Sequence, residues 1–159
     1  MLRVMFVCTG NTCRSPMAEG GLEKLLENRN IEGIVVCSSG TAAAAGFPAT
    51  TYAIEAVKMW EADITRHRSQ PLTAELIKNA DVIIGMTSSH CREVGLIDPS
   101  AEQKTYLLKN FPQSGCEGDG VEDPIGGSLD MYNQTFLEIG EELGRILPDL
   151  AKMAGQKSE

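Results

Sequence analysis

The feature that most constrains the fold lies at the N-terminus, where an apolar run is followed at once by a polar loop. Residues 2–7 are apolar except for Arg3 and are typical of a buried strand. A loop follows them, and from Pro16 to about Asn28 the apolar residues take the spacing of an amphipathic helix. We expect Ser15 to cap this helix, with Pro16 at its first position. The segment is therefore predicted to be a strand, a tight loop and a helix start.

The residue types of the loop suit the binding of an oxyanion. Gly10 and Asn11 tolerate the left-handed backbone that a closed loop requires. Backbone N–H groups and the helix N-terminus then supply positive potential at the loop. Arg14 offers paired N–H donors that match a tetrahedral oxyanion, and the same field favours a thiolate at Cys8. Together these residues indicate nucleophilic attack on phosphorus.

Two other interpretations of the loop cysteines are weaker. Free cysteine is among the most buried residue types, so Cys8 alone is compatible with an inert core thiol at a strand end. Cys8 and Cys13 have four residues between them, and no second cysteine pair follows closely. This is poor spacing for zinc, and we expect no metal site.

Composition excludes several classes of function. The chain has 159 residues, which suits a single domain over residues 1–159. Its net charge of −8 argues against general binding of nucleic acid or of a membrane surface. No apolar run approaches the roughly 20 residues of a membrane-spanning helix. Five cysteines are an odd number for a disulfide framework, so a reducing, cytoplasmic location is expected.

Strands and helices alternate along the rest of the chain. Strands are predicted at residues 34–38, 81–86 and 104–108, and helices at 52–60, 73–79, from 88 or 89 onward, and at 129–150. Thr73 is the expected cap of the 73–79 helix, and Pro148 is expected to end or kink the last helix near Leu147. The last helix carries the clearest apolar stripe, which comprises Leu129, Tyr132, Phe136, Ile139, Leu143, Ile146 and Leu150. Such alternation predicts an α/β fold with a parallel sheet and helices on both faces.

The run Cys8-Thr9-Gly10-Asn11-Thr12-Cys13-Arg14-Ser15-Pro16, with Asp123-Pro124 late in the chain, resembles the low-molecular-weight protein tyrosine phosphatase family. The resemblance covers essentially the whole chain and is closest to the bacterial protein arginine phosphatases. It implies a three-layer, flavodoxin-like fold with a four-stranded parallel sheet. Ligands of such folds bind beyond the carboxyl ends of the strands, where the loop after the first strand lies.

The resemblance implies roles for three catalytic residues. Cys8 is the expected nucleophile, Arg14 holds the phosphoryl oxygens, and Asp123 is the general acid and then the base. Since the cationic loop already neutralises phosphate, no cofactor is expected. The phosphate-binding residues are expected to be Thr9, Gly10, Asn11, Thr12, Cys13, Arg14 and Ser15.

Further residues are expected to support the loop or its chemistry. Ser15 is positioned to donate a hydrogen bond to the sulfur of Cys8. The resemblance implies that Asn11 is held left-handed, with Ser38 and His67 as its supports; a solvated helix-end residue is the other interpretation of His67. Cys8 and Cys13 together predict a reversible disulfide after oxidation, with loop packing as the alternative for Cys13.

The expected substrates are phosphorylated proteins, with phosphate or another oxyanion in the loop. Thr12 occupies a position where tyrosine phosphatases of the family usually carry a branched aliphatic residue, and threonine there is typical of the arginine phosphatases. Ile125 follows Asp-Pro in place of an aromatic residue, which departs from both patterns. Phe47 or Trp60 is then the candidate for an aromatic wall. Phosphoarginine is the first prediction and phosphotyrosine the second.

Two rivals from other classes stay open. An arsenate reductase on the same scaffold requires further cysteines for a disulfide relay, and Cys91 lacks a close partner cysteine in the sequence. A phosphate-binding module without catalysis has no use for the acid Asp123. The remaining cysteines, Cys37, Cys91 and Cys116, carry no motif.

Overall fold

The structure, a computed structural model, describes residues 1–157. Its four strands are β1 (Leu2–Cys8), β2 (Ile34–Gly40), β3 (Val82–Gly85) and β4 (Thr105–Leu107). Its helices are α1 (Arg14–Asn28), α2 (Thr51–Val57), α3 (Ala74–Asn79), α4 (Ser88–Ile97) and α5 (Leu129–Lys157). Short 3₁₀ turns follow α2 at Lys58–Trp60 and α4 at Pro99–Lys104. Within the described residues, no helix is both long and apolar enough to span a membrane.

The strands form one parallel sheet in the order β2-β1-β3-β4. Strand β1 is central, and the chain leaves it toward β2 on one side and returns to β3 on the other. This reversal makes the carboxyl end of β1 the switch point of the sheet, where such folds place ligands. The loop at residues 8–15 begins there, as predicted.

Helices cover both faces of the sheet, which confirms the predicted architecture. On one face α1, α2 and α5 pack over the alternate β1 residues Val4 and Phe6. On the other face α3 and α4 pack over Met5 and Val7. The alternation follows from the two-residue period of a strand, which sends successive side chains to opposite faces.

The start of α1 differs from the sequence prediction. Cys13, not Ser15, occupies the N-cap, and no side chain caps the helix there. Arg14 and Ser15 are therefore the first helical residues, and Pro16 is the third. A proline is tolerated in this turn because its missing N–H has no intrahelical acceptor. The consequence is that the Ser15 hydroxyl is available to the loop.

The predicted end of α5 near Leu147 is wrong, while the alternative of a kink at Pro148 stays a prediction. The helix continues through Pro148 to Lys157. Pro148 is exposed, while Leu147, Leu150 and Ala154 on either side of it are buried in the core. Each buried leucine contributes about 1.5–3 kcal/mol, which offsets the roughly 3 kcal/mol cost of an internal proline. At the other end of the stripe, Leu129 is exposed rather than buried.

Candidate active site

The loop at residues 8–15 is held by hydrogen bonds from outside it to its carbonyl oxygens. Thr41 N–H donates to the Cys8 carbonyl at 2.9 Å, and Thr50 N–H donates to the Thr12 carbonyl at 2.9 Å. The carbonyls of Thr9 and Asn11 are likewise bonded to groups outside the loop. In a trans peptide the N–H points opposite to the C=O, so the N–H groups that follow these carbonyls face the interior of the loop. The loop is thus a concave row of donors, which suits an anion.

Asn11 fixes the shape of this loop. It is fully buried and has a left-handed backbone, with φ of 57°. Its side-chain amide donates to the hydroxyls of Ser15 at 2.8 Å and Ser38 at 2.9 Å, and its side-chain oxygen accepts from Gln70 N–H at 2.9 Å. These bonds hold a conformation that is costly for a residue other than glycine.

His67 bonds to the backbone of the same residue. Its Nε2 lies 2.7 Å from the Asn11 carbonyl oxygen. Because a carbonyl only accepts, Nε2 carries the proton and donates. The pKa of His67 is lowered by burial, which the bond to Asn11 only partly opposes. A neutral imidazole is sufficient for this contact.

Cys8 lies at the floor of the loop, with only 2% of its surface exposed. Its Sγ is 2.9 Å from the Oγ of Ser15. Since Asn11 already donates to that Oγ, the Ser15 proton goes to an acceptor, and the sulfur at 2.9 Å is closer than the Ser39 carbonyl oxygen at 3.4 Å. The Ser15 hydroxyl is therefore placed to donate to the Cys8 sulfur, which is a function other than helix capping.

Arg14, the first residue of α1, is 4% exposed. One terminal nitrogen donates to the Val121 carbonyl at 2.8 Å, and the other lies 3.4 Å from a carboxylate oxygen of Asp123 and 3.3 Å from the Thr9 hydroxyl. Its Nε is buried and has no hydrogen-bond partner among the described residues. A buried donor without a partner costs about 1–3 kcal/mol or more, so this N–H favours an acceptor that enters the loop.

The loop that follows β4 brings Asp123 to Arg14. The second carboxylate oxygen of Asp123 accepts from Ile125 N–H at 3.1 Å, and Pro124 between them is buried. The Asp123 side chain is 38% exposed. It is therefore both in contact with the arginine and open to solvent, as an acid that exchanges protons with water requires.

Thr12 and Cys13 differ in their surroundings. Thr12 is half-buried, and its hydroxyl is 3.9 Å from the Cys13 sulfur. The Cys13 sulfur is buried and lies 3.3 Å from the hydroxyl of Tyr132. Burial and this contact raise the pKa of Tyr132 to about 12. Both loop cysteines are free thiols.

Several residues of the site have no signal in the sequence. His90, on α4, places its Nε2 2.9 Å from the Thr9 hydroxyl, and its Nδ1 accepts from Thr87 N–H at 3.1 Å. Burial and then Arg14 lower the pKa of His90 to about 4, against a raising effect of Asp123. Glu19 accepts from Ser38 at 2.6 Å and so extends the hydrogen bonds of Asn11. These contacts join residues far apart in the chain, which local patterns do not indicate.

Gly40, at the end of β2, is a further residue of this kind. A Cβ there would lie 2.4 Å from the Thr9 carbonyl oxygen and 2.9 Å from the Asn11 nitrogen. Both are backbone atoms of the loop, which cannot move aside without changing its shape. The close approach therefore requires glycine.

Two expectations from the sequence are wrong. Trp60 does not form a wall of the site, because its ring packs against Phe136 with centroids 5.0 Å apart. Cys91 does have a nearby cysteine, since its thiol interacts with that of Cys116. Phe47 is exposed.

The parallel sheet, the anion-binding loop at its switch point and the buried thiol beside an arginine define the class of cysteine-dependent phosphatases. The model of one family of this class, described as low molecular weight phosphotyrosine protein phosphatase, matches residues 3–157. The chain belongs to this family.

Curated relatives and solved structures agree with this assignment. A protein-arginine-phosphatase of Bacillus subtilis (strain 168) is 39% identical over 150 residues, which cover 94% of this chain and 97% of that protein. A probable low molecular weight protein-tyrosine-phosphatase, EpsP of Ralstonia solanacearum, is 36% identical over 91% of this chain and 93% of its own. The structure of the YwlE arginine phosphatase from Geobacillus stearothermophilus superposes with a TM-score of 0.86 at 34% identity, covering 98% of this chain and 97% of that one.

Proposed function

We propose that this protein removes phosphoryl groups from arginine side chains of proteins through a cysteinyl-phosphate intermediate. The observation that carries the phosphatase chemistry is the unpartnered, buried Nε of Arg14 in the same loop as the buried Cys8 thiol. A tetrahedral oxyanion in the loop supplies the missing acceptor and meets the inward N–H groups. A related structure, Wzb of Vibrio vulnificus with benzylphosphonate, supports an oxyanion at this loop.

The first chemical step is attack of the Cys8 thiolate on phosphorus, in line with the leaving group. Arg14 and the loop N–H groups hold the equatorial oxygens and stabilise charge in the transition state. A YwlE arginine phosphatase in which serine replaces the active-site cysteine is described with that serine phosphorylated, which supports a covalent intermediate. The loop's own positive charge neutralises the phosphoryl group, so this chemistry uses no cofactor.

Asp123 acts on the leaving group and then on water. For an aryl ester, it protonates the leaving oxygen, and in the second step it removes a proton from the attacking water. For phosphoarginine, the carboxylate faces the guanidinium that departs. As the sulfur departs from phosphorus in the second step, the Ser15 hydroxyl 2.9 Å away stabilises its negative charge.

Phosphoarginine is favoured over phosphotyrosine by the acidic surroundings of Asp123. A cleft of about 390 Å³ borders this residue and is lined by Asp119, Glu122 and Glu138 as well as Lys109. Carboxylates attract a guanidinium and offer nothing to a phenol ring. The identity with arginine phosphatases and the threonine at position 12 support the same substrate.

Phosphotyrosine is the second candidate, and the family description favours it. Thr12→Ile separates the two. We expect kcat/KM on a phosphoarginine peptide to fall by about 5- to 150-fold, since loss of a hydroxyl contact costs roughly 1–3 kcal/mol. Activity on the phosphotyrosine peptide of the same sequence is expected to stay equal or rise.

Thr12→Ser keeps the hydroxyl and is the matched control, with an expected activity on phosphoarginine near that of the wild type. Equal loss on both substrates in Thr12→Ile would contradict the specificity role. Cys8→Ser is expected to bind phosphate without turnover. Appreciable turnover by that variant would refute the covalent mechanism itself.

A further inference from the structure

A second thiol pair lies in a cleft on the α4 side of the molecule. The cleft has a volume of about 610 Å³, and its lining includes Ser89, Cys91, Arg92, Leu96, Glu102 and Cys116. Among the described residues that line it, none comes from the loop at 8–15. Cys91 and Cys116 both line this cleft, although 25 positions separate them in the chain.

The fold itself brings these two sulfurs together. The Cys91 thiol donates to the Tyr106 carbonyl of β4 at 3.2 Å. Tyr106 pairs in turn with Gly115 through an isolated parallel bridge. Cys116 is the next residue, so the bridge brings it to the part of β4 that Cys91 contacts. Backbone pairing therefore places both cysteines next to Tyr106.

The two thiols differ in access. Cys91 is 1% exposed, whereas Cys116 is half-buried at the surface of the cleft. Burial, with a smaller contribution from Cys116, raises the pKa of the Cys91 thiol to about 12, against the lowering effect of Arg92. Cys116 is therefore the thiol that meets a dissolved oxidant first, and Cys91 is its buried neighbour.

We propose that Cys91 and Cys116 form a reversible intramolecular disulfide, independent of Cys8 and Cys13. With hydrogen peroxide as oxidant, the Cys116 thiol becomes a sulfenic acid and one water is released. The Cys91 sulfur then attacks the Cys116 sulfur, and the sulfenic hydroxyl leaves as a second water with the Cys91 proton. Overall, two thiols lose two protons and two electrons, and peroxide is reduced to two waters.

The disulfide would tie α4 to the loop that carries the active-site contacts of Arg14. Val121 and Asp123 lie five and seven residues after Cys116, and both contact the arginine. The surface ion pair of Arg92 and Glu117, at 3.6 Å, already spans the same gap. A covalent bond there restrains residues 116–123 without touching the nucleophile.

Peptide mapping after mild peroxide treatment tests the proposal. In the Cys8→Ser variant, where the loop pair cannot form, we expect trypsin to release residues 79–92 joined to residues 110–145. The joined mass is two hydrogens below the sum, and dithiothreitol separates the peptides. Cys37→Ser, added as a control, is expected to retain the joined product, and Cys116→Ser to abolish it.

Amide hydrogen exchange gives a second readout that does not depend on turnover. Oxidation is expected to slow exchange in residues 116–123 of the Cys8→Ser protein and to leave the Cys8→Ser/Cys116→Ser protein unchanged. The proposal is overturned if Cys116 is recovered only as sulfinic acid, joined to Cys37, or joined to a second molecule. Because neither readout uses catalysis, failure here is distinct from failure of the proposed function.

Discussion

The reacting residues of the loop could be predicted from the sequence pattern alone, whereas the residues that support the loop could not. Cys8 and Arg14 belong to one short run, so chemical type and spacing were enough to propose an oxyanion site. The contacts of Asn11 with Ser38 and His67 required the family resemblance, because they join distant segments. His90 and Gly40 had neither a local motif nor that help, since their partners are set only by strand order.

Ser15→Ala is the sharpest test at this scale. Loss of a hydrogen bond to a charged sulfur costs about 1.5–3 kcal/mol, so we expect the step that releases Cys8 from phosphate to slow by roughly 10- to 100-fold. Rapid-mixing kinetics with para-nitrophenyl phosphate should then show a larger burst relative to the steady state. Ser39→Ala is the matched control, because its buried hydroxyl bonds to the sulfur of Met5 instead. If Ser15→Ala kept the burst and the kcat of the wild type, Ser15 would have no role in the release of Cys8 from phosphate.

At the scale of elements, type and order could be predicted, and boundaries could not. Among the described residues, short apolar runs indicated the four strands, apolar spacing indicated α1, α2 and α5, and capping or start residues indicated α3 and α4. The ends were missed where tertiary packing opposes local preference. Core contacts around Leu147 and Leu150 allow α5 to continue past Pro148. Helix α1 starts at Arg14 without a capping side chain, after a loop whose carbonyl oxygens accept hydrogen bonds from outside it.

Pro148→Ala tests the account of α5. Alanine restores the hydrogen bond to Gly144 and removes the ring clash, while the freer unfolded chain returns roughly 0.4–1 kcal/mol. We expect a net gain of about 2 kcal/mol in the free energy of unfolding, measured by urea denaturation. Pro112→Ala, at an exposed loop position, is the comparison and should not show this gain. No stabilisation in Pro148→Ala would mean that the helix is already relaxed around the proline.

For the whole molecule, the buried His90 links stability to pH. Its pKa is lowered to about 4 from an ordinary 6.5, so the folded protein binds fewer protons than the unfolded chain between these values. The free energy of unfolding should therefore fall by roughly 2–3 kcal/mol as the pH drops from 6.5 to 4. The lowered pKa of His90 could not be predicted from the sequence, because the burial of this residue follows from the packing of α4 on the loop at residues 8–15.

His90→Gln removes the titration and keeps a donor for Thr9. Urea denaturation across this pH range should show a flatter profile for the variant, while losses due to carboxylates stay common to both proteins. His67→Gln serves as the comparison, because His67 is the only other histidine in the sequence. Coincident profiles for wild type and His90→Gln would show that His90 does not set the pH response.

The contact between Arg14 and Asp123 at 3.4 Å has a consequence for the order of events in a turnover. The Asp123 carboxylate occupies one side of the Arg14 guanidinium, so each group satisfies part of the charge of the other. An arriving phosphoryl group competes for the same nitrogen, so docking of substrate and release of the acid from its resting place become one event. A molecule that binds in the pocket without a hydrogen bond to that nitrogen would leave Asp123 paired with Arg14, and the carboxylate would not act as an acid.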